Sequence, residues 1–181
     1  IAPIGISFLW DRDLTAEAAK DIASLTHDDR EVDESCVLWA EAMRVAVVEG
    51  VLDIRVGLDL LLEDSRDKWA GLIDDADKGI VTPRTNGYTV SALQCAWFAV
   101  TATREYFGEA AVYDGLRRAV KMGGDTDTVA AIAGSLLGAR WGESAVPQKW
   151  KDALFGWPGM TGADLADMGE RIVRNSQPRG F

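Results

Sequence analysis

Apolar residues recur at helical spacing along nearly the whole chain, and no clear run alternates apolar with polar residues as a half-buried strand does. That property restricts the fold to packed helices. Residues 14–25 read as a helix capped by Asp13, with Leu14, Ala18, Ile22 and Leu25 on its core face. Residues 31–49 follow, with Val32, Cys36, Trp39, Met43 and Val47 inward and Gly50 as the terminating glycine. Shorter helices fit 53–63 and 66–78. Pro, Asn and Gly fall together in 82–87, which is a loop. Residues 88–107, closed by Gly108, and 109–122, closed by Gly123, fit the next two helices. Helices over 127–141, over 147–154 with Pro147 at its first position, and over 164–174 complete the set. The expectation is an all-α fold, a compact multi-helix domain over 1–181 with a buried central helix.

Composition narrows the partners. With 48% hydrophobic residues and seven tryptophans, the chain can bury a substantial core. A formal net charge of -10 with no run of Lys or Arg argues against a nucleic-acid backbone and is compatible with cations. Cys36 and Cys95 lie in apolar helical patterns and read as buried thiols of a reducing compartment. No signal peptide is recognisable, and the longest apolar stretch, around 128–139, is too short to span a bilayer. These features point to a cytoplasmic protein with no membrane partner. The chain opens on IAPIGISFLW without an initiator Met, which leads us to expect that the native chain continues upstream of Ile1.

The stretch MGGDTDTVAAIAGSLLGARWG, residues 122–142, carries the chemistry. Gly123 and Gly124 allow a sharp turn between two helices. Asp125, Asp127 and Thr128 then fall on a helix start, where the dipole favours a carboxylate. One helix cap needs one side chain, whereas this stretch offers four oxygen-bearing side chains in succession. Two carboxylates and a hydroxyl form an all-oxygen set of the kind that Mg²⁺ or Mn²⁺ takes, and no nearby Cys or His suggests Zn²⁺. Ala130, Gly134 and Gly138 share one helix face, where small residues let a neighbouring helix approach. Thr128–Gly138 is therefore expected to be deeply buried and to anchor the polar mouth.

Other residues have competing readings. His27 is the only histidine, and a lone histidine is most often structural or solvated. Tyr88 reads equally as packing or as function. Arg117, Arg118 and Lys121 read as a solvated face. Neither cysteine has a histidine partner that would make it a nucleophile.

Gly123-Gly124-Asp125-Thr126-Asp127-Thr128, followed by VAAIAGSLLGARWG, resembles the C-terminal signature of the ADP-ribosylglycohydrolases, a family that includes the dinitrogenase-reductase-activating glycohydrolases. Further segments resemble it in order: IAPIG at 1–5, LTH at 25–27, NGY at 86–88 and VPQKW at 146–150. The resemblance implies an all-α fold around a two-metal Mg²⁺ or Mn²⁺ centre. It implies hydrolysis of the glycosidic bond that joins ADP-ribose, at C1″, to a modified protein side chain or a small-molecule conjugate. Asp125, Asp127 and Thr128 match the C-terminal metal ligands. His27 matches a residue lining the ADP-ribose cleft, and Gly87 and Tyr88 match a loop beside the nucleotide. No residue here matches an identified catalytic carboxylate.

The family's N-terminal third carries a Gly-Asp entry motif, an acidic residue and a Thr-Asp-Asp-Thr ligand run, and none of these occurs in the 181 residues. The expectation is a chain lacking that third and holding one side of a two-sided metal site. The other side then comes from a missing N-terminal segment or from another chain. Two further readings stay open: a non-catalytic ADP-ribose or metal binder, and a capped helix with no ligand at all.

Overall fold

The computed structural model describes residues 1–176. Within them the fold is carried by α1 (Ala2–Gly5), α2 (Arg12–Ser24), α3 (Arg30–Val48), α4 (Glu63–Asp77), α5 (Thr89–Thr101), α6 (Glu109–Lys121), α7 (Thr126–Trp141), α8 (Gln148–Ala153) and α9 (Gly162–Asn175). The only strands among the described residues are β1 (Phe155–Gly156) and β2 (Met160–Thr161), an antiparallel pair between α8 and α9. The all-α expectation holds. The short hairpin adds to it, since two-residue strands leave no period to read in a sequence.

The core gathers around α5, whose residues from Val90 to Trp97, with Ala99 and Val100, are all buried. α3 and α7 pack on it, α4 covers a further side, and α2 packs on α3. α5 stops at Thr101, well before the expected residue 107. The Thr101 hydroxyl donates to Phe98 O at 3.2 Å and the Thr103 hydroxyl to Val100 O at 2.7 Å, so side chains satisfy the carbonyls of the final turn. Gly108 thus opens α6, as its N-cap residue, and does not close α5.

Two helix assignments are corrected. α2 starts at Arg12 because the Asp11 carboxylate accepts from the N–H groups of Asp13 and Leu14, which makes Asp11 the cap and not Asp13. Its buried face is Thr15, Ala16, Ala19 and Ala23, while Ile22 and Leu25 are exposed. Small residues let α2 lie close on α3, and that contact outweighs the burial of two larger side chains. The 53–63 segment forms only a 3-10 helix, Arg55–Leu60. There Gly57 lies so close to α3 that a Cβ would stand 3.2 Å from Leu38 Cα.

α7 is buried along one stripe, Val129, Ala133, Leu136 and Leu137, with Thr128 and Ala131 exposed. The expected burial of Thr128–Gly138 is therefore only half right, and the helix buried on nearly all sides is α5. The small-residue face of α7 also plays a smaller part than expected. The tightest approach between α6 and α7 is at Gly115, where a Cβ would meet Leu137 Cδ1 at 2.5 Å. Gly134 receives Leu116 in return, at 3.1 Å, whereas Gly138 has open space. Cys95 is buried, and Cys36 is only partly so; both are free thiols.

Candidate functional site

α3, α5 and α7 run side by side in the same direction. The Ser35 hydroxyl hydrogen-bonds the Thr89 hydroxyl at 2.8 Å, and further along Trp39 Nε1 donates to Ser135 Oγ at 3.1 Å. Ile1, Cys36, Trp39, Leu93 and Ile132 help to line one cavity of about 100 Å³ between these helices. The N-termini of the three helices therefore lie at one end of the bundle. His27 precedes α3, Gly87 and Tyr88 precede α5, and Asp125 precedes α7.

The loop before α5 and the turn before α7 are joined directly. Asn86 is buried; its Oδ1 accepts from Asp125 N–H at 2.7 Å and its Nδ2 donates to Gly123 O at 2.9 Å. Gly123 and Gly124 both take positive φ, +80 and +72 degrees. At Gly124 a Cβ would stand 2.2 Å from Pro83 O and 2.3 Å from Asn86 Oδ1. Gly87 is not in the left-handed region; a Cβ there would instead touch Asp125 Oδ2, at 3.7 Å. Its missing side chain leaves that oxygen open.

Asp125 occupies the N-cap position of α7, yet its side chain makes no capping bond. Asp127 instead draws on the first turn. Its carboxyl is held below the usual carboxylate range first by a hydrogen bond with the Asp125 side chain, then by the N–H groups of Asp127 and Thr128. Asp127 thus lies against the first-turn N–H groups, whereas Asp125, in the cap position, leaves its carboxylate unused for capping. Thr128 is exposed beside them.

These three residues make an oxygen-only donor set that fits part of the shell of a hard divalent cation. Among the described residues no group of three or more His, Cys, Asp or Glu side chains is placed to hold a metal ion. Other acids are engaged elsewhere: Asp74 accepts from Arg55 at 2.5 Å, and Glu34 accepts from Ser65 and Trp69.

His27 is exposed, with Nδ1 2.9 Å from the Thr26 hydroxyl, and no hydrogen bond among the described residues ties it to the Asp125 turn. Tyr88 is 50% exposed. Arg118 pairs with Asp114, and Arg117 and Lys121 face solvent. The residue that sequence reasoning passes over is Asn86, because an Asn before a Gly reads as ordinary turn chemistry. A concavity of about 620 Å³ lies elsewhere, between the hairpin and α9, with Met160, Asp167, Met168 and Arg171 in its walls. It is an open trough lined by charged and apolar side chains of the hairpin and α9, away from the signature residues, and we place the site at the acidic turn.

Comparison with known proteins covers nearly the whole chain. The model of the family described as ADP-ribosylglycohydrolase matches residues 1–180. ADP-ribosylarginine hydrolase Tri1 of Serratia proteamaculans is 35% identical over 71 residues, 39% of this chain and 18% of that protein. An uncharacterized protein of Archaeoglobus fulgidus is 29% identical over 167 residues, 85% of this chain and 51% of that protein. ADP-ribosylhydrolase ARH3 of Homo sapiens is 42% identical over 38 residues, 21% of this chain and 10% of that protein. The chain thus spans about half, or less, of the length of these relatives. No solved structure matches it.

Proposed function

The chain belongs to the ADP-ribosylglycohydrolase family, and from that premise we propose that it takes part in hydrolysing the glycosidic bond between ADP-ribose and a modified side chain or small-molecule conjugate. The observation that carries the reading is the Asp125–Asp127 pair at the head of α7, with Asp127 exposed and Asp125 not used as a cap, on a turn braced by Asn86. Because a relative is named an ADP-ribosylarginine hydrolase, an arginine conjugate is the first substrate to test.

In this reading Asp125, Asp127 and Thr128 hold Mg²⁺ or Mn²⁺ as one side of a two-metal centre. Such a metal pair would supply positive charge for orienting the ribose hydroxyls and an attacking water. The two carboxylates offset its charge, and Gly87 keeps Asp125 Oδ2 uncovered. Tyr88 offers a half-exposed ring beside the nucleotide. His27, with one ring nitrogen engaged by Thr26, presents the other to the ADP-ribose. The setting is cytoplasmic in this reading, which two free thiols suit, and among the described residues no helix is long and apolar enough to cross a membrane.

The test is release of ADP-ribose from an ADP-ribosylated arginine peptide by the native gene product, with and without Mn²⁺ and with Asp125→Asn. Mn²⁺-dependent release that the substitution abolishes is expected. Release unaffected by a chelator and by the substitution would sink the metal reading. ADP-ribose binding without any release would favour the non-catalytic binder, to which the short donor set on this chain also lends itself.

A further inference from the structure

Asn86 stands out among the residues at this end of the bundle. Its side chain is buried, although it lies in a surface loop, and both ends of its amide are used on one turn. The arrangement settles the orientation of the amide: a carbonyl oxygen must face Asp125 N–H, and an NH₂ must face Gly123 O. Gly124 packs against Pro83 O and Asn86 Oδ1 with no room for a side chain. The loop and the turn thus share one close-packed seam, and Asp125 begins immediately after it.

We propose that Asn86 is the positioning residue of the site, locking the 82–88 loop to the Gly123–Asp125 turn so that the Asp125 carboxylate is held beside Gly87. The inference rests on the reading of Asp125 and Asp127 as cation ligands. Asn86 touches neither cation nor substrate in this role. It fixes the backbone from which Asp125 projects, and it fixes the distance between that carboxylate and the loop bearing Gly87 and Tyr88. A side chain that must sit within a fraction of an ångström of productive geometry needs such support. Without it, Asp125 would hang from a Gly-Gly hinge with two freely rotating residues before it.

The test compares Asn86→Ala with Gln94→Ala in the native gene product. Gln94 is a second buried amide, donating to Leu72 O at 2.9 Å between α5 and α4, and serves as the control for a purely structural loss. Two readouts are taken: amide hydrogen exchange at Asp125 without metal, and Mn²⁺ binding followed by loss of the free-ion electron paramagnetic resonance signal. In Asn86→Ala the Asp125 amide should exchange about tenfold faster, the loss of one such hydrogen bond, and Mn²⁺ binding should weaken. Gln94→Ala should change neither. Unchanged exchange at Asp125 in Asn86→Ala, or equal effects of the two substitutions, would overturn the proposal. Asp125→Asn separates the two claims. If exchange responds as expected and Asp125→Asn still binds Mn²⁺ like the wild type, the brace stands and the cation reading fails.

Discussion

Gly123 and Gly124 are adjacent, and both sit in the left-handed region, yet replacing them with alanine should have different consequences. Each substitution places a Cβ at positive φ, which costs roughly 1–2 kcal/mol. At Gly123 nothing lies within 4 Å of the added atom, so the cost ends there. At Gly124 the Cβ would be 2.2 Å from Pro83 O and 2.3 Å from Asn86 Oδ1, far inside van der Waals contact. The Pro83 oxygen belongs to the backbone and cannot swing aside. The Asn86 side chain can, but it then abandons its bonds to Asp125 N–H and Gly123 O, at about 1 kcal/mol each. Gly124→Ala should therefore cost roughly 3–5 kcal/mol, a large part of an ordinary domain's stability. Urea denaturation of the two variants, read by tryptophan fluorescence with the slope checked for two-state behaviour, measures the difference. Equal midpoints would contradict this account, because they would mean that the loop and the turn do not meet in solution as the structure places them.

Three further outcomes follow from packing and charge. Gly115→Ala drives a methyl into Leu137 Cδ1 at 2.5 Å and should lower the melting temperature through an overpacking cost of about 1–3 kcal/mol, whereas Gly138→Ala, with open space, should be neutral or stabilising. A larger loss at Gly138 would invert our assignment of the α6–α7 contact. Gly71→Ala, in the interior of α4 with nothing within 4 Å, should stabilise by roughly 0.5–1 kcal/mol, and a fall in the denaturation midpoint would show a contact the structure lacks. For Glu34, burial pushes the carboxyl up, but hydrogen bonds from Ser65, Trp69 and Arg30 together outweigh it and the folded value is lowered. Its contribution is therefore present above the ordinary value of 4.5 and is lost as pH falls through the lowered folded value. Glu34→Gln should flatten the acid limb of the stability curve, and an acid limb as steep as the wild type's would assign it to other carboxylates.

Several features are legible in the residue order because they depend only on near neighbours in the chain. The helical class follows from spacing along single segments. The turn at Gly123–Gly124 and the helix starting beyond it follow from local backbone preference, and both are present. The acidic pair at that start is a local fact as well. Helix ends are harder to place where side chains intervene, as at Thr101 and Thr103, whose hydroxyls close α5 early.

Residue order thus dictates where helices form and which oxygen donors stand at the head of α7. Which faces are buried, and which residues meet, is set by packing across the whole molecule. The alanine face of α2 displaces Ile22 and Leu25 from the core, since close approach to α3 depends on the partner's shape and not on the hydrophobicity of one helix. Gly115 is the tight contact with α7 for the same reason. Asn86 braces the candidate site because a residue 39 positions away in sequence presents its N–H there, and no pattern along the chain encodes that distance. Local rules act through bonds and torsions within a few residues, whereas burial and hydrogen-bond pairing depend on surfaces brought together from the whole chain.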